Sequence, residues 1–81
     1  MNILLFAEIA EIAGTHSVWL DIEDPITVGQ IKKKLVERFP DKGLEEKLRF
    51  CFGAVNQTYC SDDTMVSRSD VIALIPPVSG G

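Results

Sequence analysis

The chain has 81 residues, 46% hydrophobic and 25% charged, with a formal net charge of −4. That composition fits one small globular domain, able to bury only about 60–65% of its unfolded surface, and it excludes a disordered chain. The acidity argues against nucleic acid and anionic membranes as partners, because both reward clustered Lys and Arg.

No apolar run approaches the ~20 residues of a membrane span, and Met1–Ala7 lacks the basic start of a signal peptide. Cys51 and Cys60 make no disulfide framework and are expected to stay reduced, so a cytoplasmic location is expected.

Residues 1–7 read as a strand with two apolar faces, Met1, Ile3 and Leu5 on one and Leu4 and Phe6 on the other. A central strand has that pattern, as does one whose second face meets a partner. Ile9, Ile12 and Ala13 follow at helical spacing, and Gly14 fits a helix stop, so one short helical turn is expected. Residues 16–22 alternate His16, Val18, Leu20 and Ile22 against Ser17, Trp19 and Asp21, which predicts a half-buried strand.

The strongest local signal is a helix from Val28 to Phe39. Thr27 and Gln30 have capping-box spacing, and Ile26 and Ile31 are placed for a hydrophobic staple. Val28, Ile31, Leu35, Val36 and Phe39 make the buried stripe, while Lys32, Lys33 and Lys34 are expected mostly to face water. Pro40 ends the helix, and the acidic Asp21, Glu23 and Asp24 before it suit its N-terminal dipole.

Residues 41–47 form a charged connection, with a short turn at Leu44–Glu46. Alternation then predicts a third strand over residues 48–55, a turn at Asn56–Gln57 and a short strand at Thr58–Cys60. Polar turns surround Met65 and Val66, and Val71–Ile75 is a continuously apolar, β-branched last strand. One amphipathic helix against a mixed sheet makes an α+β roll over residues 1–75.

Pro76 and Pro77 stop the ladder and hold an extended chain, leaving residues 76–81 as a tail. Six extended residues reach at most about 20 Å. Gly80 and Gly81 are thin enough to thread a narrow slot, which would receive the Gly81 carboxylate.

Reactive constellations are otherwise missing. There is no glycine-rich phosphate loop, His16 is the sole histidine, and one cysteine pair nine residues apart has no zinc-ligand spacing. A binding or carrier module is expected rather than a self-sufficient enzyme, with no metal and no permanently bound cofactor.

Three stretches carry a resemblance: Phe6–Gly14 (FAEIAEIAG), Ala54–Gln57 (AVNQ) and the ending Ile75–Gly81 (IPPVSGG). Together they resemble the MoaD family, the small, sulfur-carrying subunit of molybdopterin synthase, which has the ubiquitin-like β-grasp fold. The chain departs from that pattern at Ala10, where the family often has Arg, and at Arg68-Ser69-Asp70-Val71-Ile72, where it favours Asp-Gly-Asp-Glu-Val.

The resemblance implies a cycle at the tip. A MoeB-type adenylating enzyme would use ATP to activate the Gly81 carboxylate, and a persulfide donor would convert it to a thiocarboxylate. Pro76, Pro77, Val78, Ser79 and Gly80 would insert into the large synthase subunit, in an assembly of two small and two large subunits. There sulfur would pass to cyclic pyranopterin monophosphate, forming molybdopterin. Phe6, Tyr59 and Ile75 match the family's apolar docking positions. A thiamine-type sulfur carrier and a ubiquitin-like protein modifier are the alternatives.

Overall fold

The computed structural model describes residues 1–23 and 25–77. Strand β1 (Asn2–Leu5) is followed by helix α1 (Ala7–Ala13) and strands β2 (Ser17–Trp19) and β3 (Ile26–Thr27). Helices α2 (Val28–Arg38) and α3 (Leu44–Arg49) precede β4 (Phe52–Val55), β5 (Thr58–Cys60), β6 (Met65–Val66) and β7 (Val71–Ile75). The main sheet has the order β2-β1-β7-β4-β5; β1 and β7 run parallel at its centre and the other pairs are antiparallel. Strands β3 and β6 make a separate two-stranded sheet that the sequence pattern does not announce.

Alternation puts Ile3 and Leu5 of β1 and Ile72 and Leu74 of β7 on one face, where they are fully buried. They share a core with Val28, Ile31 and Leu35 of α2 and with Leu44 and Leu48 of α3. Helix α2 starts where expected: Thr27 Oγ1 accepts the Gln30 N–H at 3.1 Å, and Gln30 Oε1 accepts the Thr27 N–H at 2.9 Å. Its first residue lies so close to β4 that a Cβ on Gly53 would sit 2.9 Å from Val28 Cγ1. Gly53 is therefore a packing requirement.

Helix α1 is longer than one turn and stops at Gly14, whose φ of +77° suits glycine and whose N–H donates to Ala10 O at 2.8 Å. Strand β2 is shorter than the pattern suggests, although Val18, Leu20 and Ile22 all stay buried; His16 is exposed.

Two expectations are corrected. Leu48 and Arg49 belong to α3, so the third strand starts at Phe52. The Leu44–Leu48 pair, one turn apart and fully buried, favours a helix, as do Glu45 and Glu46 in its first turn and Lys47 and Arg49 in its last. Lys33 and Lys34 face water, but Lys32 is only 7% exposed. Its ammonium donates to Cys51 O at 2.9 Å and pairs with Asp62 Oδ1 at 2.9 Å, which accounts for a cation at the edge of the core.

Candidate functional site: the outer face of the sheet

Opposite the helices, the same strands turn a second set of side chains outward. Register brings them together: Leu4 faces Ala73, Ala73 faces Ala54, Ala54 faces Tyr59, and Phe52 faces Ile75. Ala54 and Ala73, side by side on adjacent strands, are too small to fill the space between their neighbours. The result is a shallow groove of about 550 Å³ with Phe6, Tyr59, Val71 and Ile75 among its walls. Phe6 is 43% and Tyr59 70% exposed, while Ile75 is half-buried. All three residues expected at a partner interface thus line one groove.

Phe6 owes its place to a sharp change of path. It keeps an extended backbone (φ −127°, ψ 155°) as the residue before α1, and Ala7 then adopts φ +49°. A non-glycine residue in that region costs on the order of 1 kcal/mol, so β1 passes into α1 under local strain.

The other end of the groove is held by the β4–β5 hairpin. Asn56 and Gln57 have φ of +49° and +75°, a two-residue turn that matches the sheet's twist. Asn56 also clasps the start of β7. Its N–H donates to Val71 O at 2.9 Å, its Oδ1 accepts the Val71 N–H at 2.9 Å, and its Nδ2 donates to Asp70 Oδ1 at 3.0 Å. Asp70 Oδ2 accepts the Ser67 N–H at 2.9 Å. These bonds, the Ser67 N–H first and Asn56 second, hold the Asp70 carboxyl below its ordinary titration range.

Sequence reasoning treated Asn56 and Asp70 as turn residues and missed this clasp. It also placed Phe52 on a strand without an interface role. Phe52 is exposed, stacks edge-on against Tyr59 with ring centroids 6.1 Å apart, and faces Ile75. The available signal was that Phe52 shares strand parity with Ala54, across from Tyr59.

From Ile75 the chain continues into a half-buried Pro76 and an exposed Pro77, outside any strand. The expected tail residues Val78, Ser79, Gly80 and Gly81 lie outside the described residues. Cys51 is buried, its thiol directed at Lys47 O at 3.4 Å, and burial raises its pKa. A thiol so placed is a poor nucleophile. Among the described residues no group of three or more His, Cys, Asp or Glu could hold a metal ion, and no helix is long and apolar enough to cross a membrane.

The ThiS family model matches residues 3–81. The chain belongs to the ThiS family. Within it, the chain is 39% identical to the molybdopterin synthase sulfur carrier subunit of Dictyostelium discoideum, over 99% of this chain and 94% of that one. It is 36% identical to the subunit of the same name from Homo sapiens, over 100% of this chain and 93% of that one. These relatives bear out the resemblance to the MoaD family. Among solved structures, SAMP1 from Haloferax volcanii, a small archaeal modifier protein, superposes with a TM-score of 0.84 at 30% identity, covering 100% of this chain and 98% of that one. The fold is the ubiquitin-like β-grasp.

Proposed function

We propose that this ThiS-family chain is the sulfur-carrying small subunit of a molybdopterin synthase, acting in the cytoplasm. The observation that carries the reading is its full-length likeness to relatives of that name, 39% identical in Dictyostelium discoideum. A free carboxylate is a poor electrophile, so the Gly81 carboxylate first attacks the α-phosphate of ATP on a MoeB-type enzyme, and pyrophosphate leaves. The terminal sulfur of a persulfide then attacks the acyl carbon and AMP departs. Thiol cleavage of the remaining S–S bond leaves a thiocarboxylate. With Pro76, Pro77, Val78, Ser79 and Gly80 threaded into the large subunit, that sulfur goes to cyclic pyranopterin monophosphate. Phe6, Tyr59 and Ile75 hold the partners, in a synthase of two small and two large subunits. The chain itself binds no permanent cofactor, ATP being bound by its activating enzyme.

A second reading has its own support in SAMP1, whose likeness at 30% identity fits a protein modifier joined to lysines through Gly81. The intact mass of the chain from its native cells tests both. Exchange of one terminal oxygen for sulfur marks the carrier, and isopeptide adducts mark the modifier.

Deletion of Gly81 sharpens the test. It withdraws the tip by about 3.3 Å, outside the roughly 3–3.5 Å approach that acyl transfer needs, while a lost terminal glycine changes stability by no more than about 0.5 kcal/mol. ATP–pyrophosphate exchange and sulfur loading should both be abolished, with an unchanged melting curve. Normal loading of the shortened chain overturns the carrier reading.

A further inference from the structure

Trp19 is the only tryptophan of the chain and is 71% exposed. It lies on β2, an outer strand of the main sheet, and its neighbour Val18 points into the core. Alternation therefore turns Trp19 to the outer face, the side of the groove. Register continues the row: Trp19 faces Asn2, and Asn2 faces Val71, a wall of the groove. At that exposure the indole contributes little to the core, so folding does not account for it.

We infer that Trp19 is a partner-contact residue, the anchor at the β2 side of the surface that docks the large synthase subunit. This rests on the carrier reading above. Two observations commit the face to that occupant.

The first is reach. Ile75, the last residue of β7, lines the groove on this face, and the six residues after it can span at most about 20 Å to the pocket that receives the tip. A partner that close must lie against part of the domain. The helix side offers Lys33, Lys34, Glu37, Glu45 and Glu46, whereas the outer face is mostly apolar and its polar groups Asn2, Asn56 and Gln57 carry no charge.

The second is area. One partner's share of an ordinary interface, about 800 Å², spans a radius of roughly 16 Å. Centred on Ala73, two strands and two residues from Trp19, it reaches about 12 Å to the indole and about 10 Å to Tyr59. A footprint confined to the groove is smaller than such an interface needs, and the apolar surface available on the β2 side is Trp19.

The test uses the full chain and its cognate large subunit. With 5-fluorotryptophan in the small subunit alone, its single fluorine resonance should move on complex formation. Trp19→Ala should weaken binding by about tenfold, as loss of a buried interface tryptophan does, without altering the melting curve. Phe6→Asp, measured alongside, separates the two readings. If Phe6→Asp weakens binding while Trp19→Ala does not, Trp19 is no anchor and the inference falls, whether or not the resonance moves. If the wild-type chain does not bind the large subunit at all, the carrier reading falls with it.

Discussion

On its inner face the main sheet presents Ile3, Leu5, Ile72 and Leu74, buried in one core with α2 and α3. On its outer face the same two strands present Leu4, Val71, Ala73 and Ile75, followed by Phe6 just after β1, and all of them stay partly or largely exposed. Both sets are apolar, so composition does not separate them. The helices cover one, and among the described residues no helix or strand covers the other. A sheet apolar on both faces ordinarily sits between two layers. In the proposed function the second layer is the partner, which fits Phe6, Trp19, Phe52 and Tyr59 being exposed together on one surface.

If this division is right, substitutions on the two faces fail in opposite ways. Leu74→Ala removes a fully buried side chain from the central strand and should cost about 2–5 kcal/mol of stability. Chemical denaturation measures that cost, and whatever remains folded should still bind the large subunit. A loss below 1 kcal/mol would mean that the inner face is not the core.

Phe6→Asp is the converse. Its stability cost should stay at about 1 kcal/mol, below that of Leu74→Ala, because the ring is already 43% exposed. Affinity for the large subunit should fall at least about tenfold, equal to about 1.4 kcal/mol. A large fall in melting temperature with unchanged titration calorimetry would move Phe6 into the core.

The smallest effect concerns the clasp that shapes the outer face. Asp70 titrates below its ordinary value of 3.8, through the Ser67 N–H first and Asn56 second, so folding favours its ionised form. That contribution is present above pH 3.8 and is lost as pH falls through the lower, folded-state value. Wild type and Asp70→Asn should therefore differ in urea midpoint at neutral pH and converge in acid. A gap that does not change with pH would leave the carboxylate without this role.

Much of the architecture was legible because its signals are local. The capping box at Thr27 and Gln30, the apolar runs of β1 and β7 and the turn at Asn56–Gln57 each depend on residues a few positions apart, and each forms where expected, with one exception. The first strand ends at Leu5 rather than Ala7, because Phe6 caps α1 and Ala7 begins it. Part of the site was legible for the same reason, since Phe6 and Ile75 follow from strands apolar on both sides. Tyr59 came only from the family resemblance.

What tertiary structure decided was which of two compatible local patterns prevails. Leu48, Phe50 and Phe52 alternate like a strand, but burying Leu44 and Leu48 on one helix face stabilises α3 and places Phe50 outside β4. Lys32 looked like one of three solvated lysines until folding brought Cys51 O and Asp62 to within 2.9 Å of its ammonium. The groove is decided in the same way. Ala54 and Ala73 lie nineteen residues apart in the chain and become its floor only when β4 and β7 pair in register. Alternation can tell a strand that it has two faces, but only packing decides which one is left for a partner.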